Sequence, residues 1–157
     1  MSTSPERLRL QATLATCQQH AQALKEVLSD ISMLDLTPER LDHLDKLECR
    51  LLDQFAYRYL RLQDDMGARL IPAILADLAE PVATMSTIDR YNRLEQLGWL
   101  PSTEEWNELR RIRNAFAHDY PNSVEERHAR LFVAFAAAKR LIVILNEFDK
   151  RIVEYRM

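Results

Sequence analysis

Glycine is almost missing from this chain: Gly67 and Gly98 are the only two in 157 residues. Phosphate-cradling loops of the P-loop or Rossmann kind need several glycines close together, so both are excluded. An all-β fold, with its many tight turns, is disfavoured on the same ground. Cysteine is equally scarce. Cys17 and Cys49 stand apart with no CxxC spacing, which leaves no disulfide framework and no zinc ribbon. Each fits a helical face as a small apolar residue. Long apolar runs are lacking too: the longest, Leu131 to Ala138, is cut by Lys139 and Arg140 and is too short to span a bilayer. The opening residues carry no apolar signal region, so the sequence reads as cytoplasmic, with no membrane contact. Nor is positive charge in excess, the formal net charge being -3. General electrostatic attraction to nucleic acid needs a basic protein, so any such contact here must come from a local patch.

What is present is helical periodicity in an ordinary composition, 47% hydrophobic and 29% charged, of a length that favours one domain spanning residues 1–157. Ser4 and Pro5 start a helix whose stripe runs through Leu10, Leu14, Cys17, Ala21, Leu24, Leu28 and Ile31, alternating steps of four and three. Thr37 and Pro38 predict the start of a second helix, buried along Leu44, Leu47, Leu51, Phe55, Tyr59, Leu62 and Met66. Gly67 and Pro72 interrupt it, which predicts a kink or break before helix resumes to about Glu80. Residues 81–85 read as a loop. A short helix over Thr87 to Leu97 ends at Gly98. Ser102 and Glu105 have the capping-box spacing for the next helix, which carries Trp106, Leu109, Ile112 and Phe116 inward and ends at Tyr120 before Pro121. Ser123 and Glu126 start the last helix, which runs to about Tyr155. No strand-like alternation appears. The expected fold is all-α, an up-down bundle of four or five helices.

The chemistry-bearing stretch is Arg110 to Tyr120. Arg110, Asn114 and His118 are four apart and share a helical stripe, with Arg113 one step round. His118 falls in the last turn, where the negative end of the helix dipole favours its protonated form. A guanidinium offers a planar fork of donors to phosphate oxygens. An imidazole can move a proton to or from a 2′-hydroxyl or a leaving oxygen near neutral pH. Such a pair can cleave RNA without a metal or any other cofactor. The basic character is local: residues 106 to 130 hold five arginines and two histidines against four acids.

Arg113-Asn114-x-x-x-His118-x-Tyr120 resembles the RNxxxHxY signature of HEPN domains of the HepT branch. The segments Phe55 to Gly67 and Asp89 to Gly98 are similar to that family's second helix and to its short helix before the motif, so residues 40 to 150 fit by helix order and local motif. The resemblance implies a metal-independent endoribonuclease, the toxin of a toxin–antitoxin pair. It implies a homodimer in which both chains bring Arg and His to one cleft. Arg113 would then orient and stabilise the phosphate, His118 would be the general acid or base, and Arg110 and Asn114 would support the substrate. It also implies a minimal nucleotidyltransferase antitoxin that adds AMP to the motif tyrosine, here Tyr120. Read without the resemblance, Tyr120 is equally well a packing ring at the helix exit.

Other readings remain open. HEPN-like proteins also serve as non-catalytic, nucleotide- or partner-binding subunits of nucleotidyltransferases. His118-Asp119 could be the dyad of an HD phosphohydrolase, with His43 and Asp149 as the remaining metal ligands. Asp64 and Asp65 diverge by about 100° and read as a solvated helix edge, and His20, His43 and His128 read as exposed helix residues.

Overall fold

The computed structural model describes residues 3–118 and 120–156, Arg156 by its backbone alone. Every regular element among them is helical: α1 (Pro5–Ser32), α2 (Lys46–Asp65), α3 (Ile71–Asp77), α4 (Thr87–Gln96), α5 (Thr103–His118) and α6 (Val124–Arg156). A π-helical turn, Met66–Leu70, joins α2 to α3 without the backbone leaving helical geometry at Asp65 or Leu70. α2 and α3 are therefore one rod, and five rods make the bundle. None of the described helices is long and apolar enough to cross a membrane.

Cross-helix contacts set the up-down order. Arg7, early in α1, pairs with Asp77 at the end of α3 at 2.7 Å, while His20, midway, meets Asp65. Gly67 lies against Trp106, Asp64 against Arg113, and Phe55 against Phe116, so α5 runs antiparallel to the second rod. Glu105 pairs with Arg140 at 2.9 Å, which returns α6 along α5. The short α4 is tied to the start of α5 by the Thr103 N–H, which donates to Glu95, and the Thr103 hydroxyl, which donates to the Tyr91 carbonyl. At the centre, the rings of Phe55, Tyr59, Phe116 and Phe135 meet with centroids 4.8 to 5.8 Å apart. Truncating a ring in such a cluster to Ala costs about 3–5 kcal/mol, so these contacts lock α2, α5 and α6 together.

Several sequence expectations need correction. Thr37 and Pro38 start only a 3₁₀ turn, Pro38–Asp42, and α2 begins at Lys46. The stronger start signal is a reciprocal capping box: the Asp45 carboxylate accepts from the Glu48 N–H, and the Glu48 carboxylate accepts from the Asp45 N–H. Leu44 is consequently half-buried, and Leu47, in the first turn of α2, is 63% exposed. Val27 is buried on α1 where Leu28 is only half-buried. Gly67 and Pro72 cause no break. The Ile71 N–H reaches five residues back to the Met66 carbonyl, and the extra residue absorbs the clash that Pro72 would make with the preceding turn. α5 is described over Thr103–His118 and Tyr120 lies outside it, and the loop after α3 contains a 3₁₀ turn, Val82–Thr84.

His20 is the largest departure. It is 7% exposed rather than on the surface. An Arg58 guanidinium N–H donates to its Nδ1 at 3.0 Å, which places the ring proton on Nε2, 3.4 Å from the Asp65 carboxylate. Burial holds His20 below its ordinary pKa, Asp65 opposes this, and Arg58 and Arg61 reinforce it. Asp65, expected on a solvated edge, is buried in this cluster. His128 is also half-buried, with Nε2 2.9 Å from the Leu36 carbonyl. His43 is exposed as expected.

Two helix ends use the same Schellman geometry. After α4, the Trp99 N–H bonds the Leu94 carbonyl and the Gly98 N–H bonds that of Glu95, with Gly98 at φ 81°. After α3, the Glu80 N–H bonds the Leu75 carbonyl and the Ala79 N–H bonds that of Ala76, with Ala79 at φ 64°. Alanine there pays for the left-handed backbone that glycine adopts freely. Ala79→Gly is expected to stabilise the fold by about 0.5–1 kcal/mol, after the larger unfolded-state entropy of glycine is subtracted. Urea unfolding measures this, and a lower midpoint than wild type would sink the strain argument. A second expectation concerns pH. Unfolded His20 takes up a proton near pH 6.5 while the folded chain resists it, so stability held above about pH 6.5 is lost as the pH falls below it. Unfolding free energies at pH 7.5 and 5.5 should differ more for wild type than for His20→Gln, and equal differences would rule His20 out as the cause.

Candidate functional site

The π turn, the start of α4 and the middle of α5 enclose a cleft of about 550 Å³. Its walls carry Gln63, Asp64, Gly67 and Ala68 from the second rod, Thr87, Arg90 and Tyr91 from α4, and Arg110, Arg113 and Asn114 from α5. Three guanidiniums thus face one carboxylate. The floor is kept low by Gly67: a Cβ there would come within 3.1 Å of the Tyr91 hydroxyl.

Each arginine is held differently. Arg113 donates to the Asp64 carboxylate at 2.7 Å and, at 3.5 Å, to the side-chain oxygen of Asn114, while its Nε has no partner among the described residues. Asp64 is exposed on the helix edge as expected, and it is also the ion-pair partner of Arg113. Arg110 lies over the Tyr91 ring at 5.4 Å, a cation–π contact that keeps its hydrogen-bond donors uncommitted. Arg90 donates to the Val82 carbonyl at 3.0 Å, which anchors it to the loop before α4. The helix start that places these groups is also legible: the Ser102 hydroxyl caps the Glu105 N–H at 3.1 Å. The box is one-sided, because the Glu105 carboxylate is taken by Arg140.

Of the predicted site residues, the fold thus gathers Arg110, Arg113 and Asn114. His118 closes α5 and is exposed, and it does not line the cleft. Five residues of helix separate it from Arg113, about 7.5 Å along the axis and about 140° round it. Within one chain the two side chains diverge. Tyr120 is 84% exposed and is no packing ring; the Arg127 guanidinium lies 5.8 Å from its centroid. Asp119, the second half of the HD dyad, lies outside the described residues. Among those described, no group of three or more His, Cys, Asp or Glu is arranged to hold a metal ion. His43 stands exposed at the end of the 3₁₀ turn before α2, and Asp149 is half-buried near the end of α6.

The cleft also contains what the motif did not announce. Arg90, from α4, joins it although its sequence neighbours resemble a plain amphipathic helix. Gln63 is 3% exposed, and among the described residues neither its amide oxygen nor its amide nitrogen has a partner. The Tyr59 hydroxyl, one turn earlier, and the Trp106 indole N–H are unpartnered as well, and burial pushes the Tyr59 hydroxyl far above its ordinary pKa. Gln63 lies beside the stripe residue Leu62 and not on the stripe itself, so spacing gave no sign of its burial. By contrast, Cys17 is inert structure: burial pushes its thiol up to about 12. No family model, curated protein or solved structure matches this chain.

An unpartnered buried amide costs the free protein stability, and a group kept at such a cost belongs to a site more often than to a core. Gln63→Met removes the polar atoms at nearly constant shape and is expected to stabilise the fold by about 1 kcal/mol. A fall in the urea midpoint would mean that the amide is satisfied in solution.

Proposed function

We propose that this chain is a metal-independent endoribonuclease of the HEPN kind, acting as a homodimer through Arg113 and His118. The observation that carries the reading is the cleft: Arg110, Arg113 and Asn114 of the motif helix converge on it, joined by Arg90, in a protein of net negative charge. Three guanidiniums match the oxygens of a bridging phosphate. The exposed His118 lies one and a half turns beyond, at the open end of the same helix.

In the proposed reaction Arg113 and Arg110 hold the scissile phosphate and offset the charge that builds on its oxygens. One His118 takes the proton of the 2′-hydroxyl. The 2′-oxygen bonds to phosphorus, and the bond from phosphorus to the 5′-oxygen breaks. A second His118 protonates the leaving 5′-oxygen, so the products are a 2′,3′-cyclic phosphate and a 5′-hydroxyl. Two histidines are needed at once, and within one chain His118 points away from Arg113. Both facts support a second copy of the chain at the site. The exposed Tyr120 suits a partner enzyme of the minimal nucleotidyltransferase type, which would silence the toxin by attaching AMP to its hydroxyl.

One observation favours a second reading. The cleft holds three arginines and no histidine, as a non-catalytic nucleotide- or phosphate-binding subunit would. RNA cleavage by the purified protein with EDTA present separates the two. Cleavage that survives EDTA and drops at least about a hundredfold in His118→Ala and in Arg113→Ala is expected of the enzyme. If the wild type binds RNA but cleaves none, with or without added metal, and co-expression with a nucleotidyltransferase leaves Tyr120 without an adduct, the binding subunit is the correct reading. Activity lost in EDTA and regained with metal would favour the phosphohydrolase instead.

A further inference from the structure

Tyr57 is 53% exposed on the outer face of α2, while its neighbours Phe55 and Tyr59 are wholly buried. Two guanidiniums lie against its ring: Arg58 at 5.4 Å and Arg61 at 5.9 Å from the centroid. Arg58 is fixed in place, since it also donates to the buried His20. Arg61 is exposed, so its charged end is open to an incoming ligand.

The position of this group on the helix gives it meaning. Seven residues make nearly two full turns, so Arg50, Tyr57 and Asp64 share one face of α2, with Arg61 a turn from both Tyr57 and Asp64. Asp64 is the wall of the arginine cleft and the partner of Arg113. Tyr57 therefore stands about 10 Å from the cleft along the same surface. The acids on this face are Asp53 and Asp64, and Asp64 is already neutralised by Arg113. An aromatic face flanked by cations, in line with a phosphate-binding cleft, is what single-stranded nucleic acid requires: the ring stacks on a base and the arginines follow the backbone. A duplex keeps its bases stacked inside and offers nothing to such a ring. A protein segment with an apolar anchor would have to desolvate two guanidiniums to reach it.

We propose that Tyr57 is a stacking platform for an unpaired base of the RNA whose phosphate occupies the cleft, with Arg61 on the intervening backbone. The substrate class is single-stranded RNA that extends beyond the cleaved bond along α2. The proposal rests on the reading of the cleft as an RNA phosphate site, and it assigns Tyr57 to binding, away from the reacting atoms.

The test uses 2′-O-methyl RNA, which lacks the attacking hydroxyl, so that binding is measured without cleavage. A fluorescent octanucleotide and the corresponding dinucleotide are titrated with wild type, Tyr57→Ala, Tyr57→Trp and Tyr57→Leu, each checked for an unchanged thermal midpoint. Tyr57→Ala should weaken octanucleotide binding about tenfold and leave the dinucleotide within about twofold. Trp should restore binding and Leu should not, because stacking needs a π-face. Annealing a complementary strand to the octanucleotide should weaken it like the Ala change. Equal octanucleotide affinity in Tyr57→Ala, rescue by Leu, or equal affinity for the duplex overturns the platform and leaves the cleft intact. If wild type binds neither probe, the platform falls together with the proposed ribonuclease.

Discussion

The site depends on how the second rod accommodates Pro72. A proline inside a helix removes a hydrogen bond and strikes the carbonyl one turn before it. Here the helix widens by one residue over Met66–Leu70 and continues, instead of breaking. Because the rod stays whole, Gln63, Asp64, Gly67 and Ala68 keep a common wall facing α4 and α5. A break at this place would uncouple Asp64 from Arg113 and remove the floor beneath Tyr91. The widened turn also sits where the rod must leave room, and the small Gly67 and Ala68 provide it.

Around that rod the interior is less oily than the apolar seams suggest. On one side, His20, Arg58 and Asp65 form a buried polar cluster between α1 and α2. On the other, Tyr59, Gln63 and Trp106 bring polar atoms to the α2–α5 contact without partners. Such groups cost stability, and the aromatic cluster of Phe55, Phe116 and Phe135 beside them offsets it by burying large rings in favourable edge-on geometry. The two differ in their pairing: in the first, His20 is bonded on both ring nitrogens although the Arg58 Nε lacks a partner among the described residues, and the second reaches the cleft through Gln63.

Much of the fold was legible because local signals and burial agreed. Ser4 with Pro5, Gly98, and Ser102 mark helix ends in the structure as in the sequence. Where two signals competed, the sequence alone misjudged. Thr37 with Pro38 looked like a helix start, yet the reciprocal box of Asp45 and Glu48 closes two orphan donors and prevails. Ala79 hid a helix stop because nothing in its chemistry announces a left-handed backbone. His20 and Asp65 read as surface because a polar residue on a helix usually is; only their mutual approach across two helices makes burial tolerable, and that pairing is tertiary. For the site, Arg110, Arg113 and Asn114 followed from helical spacing. Arg90 and Gln63 could not, since α4 and α2 reach the cleft through packing. His118 marks the limit of spacing arguments: four-residue steps put it on the stripe of Asn114, but the helix carries it clear of Arg113.

If the cleft holds phosphate as proposed, the ion pair between Asp64 and Arg113 bears on how that anion is released. In the resting protein the carboxylate points the guanidinium fork and makes its near-burial tolerable. On the proposed reading of the cleft, an arriving phosphate would be repelled by the same carboxylate, which would reclaim the arginine once the anion left. The cleft would then carry its own competitor. A product of phosphodiester cleavage would retain the charge by which the substrate was held, so a grip built of arginine alone would be slow to release it. With Asp64 in place, some affinity would be exchanged for a short residence time, and the site would be returned to its starting geometry by a group that never leaves it.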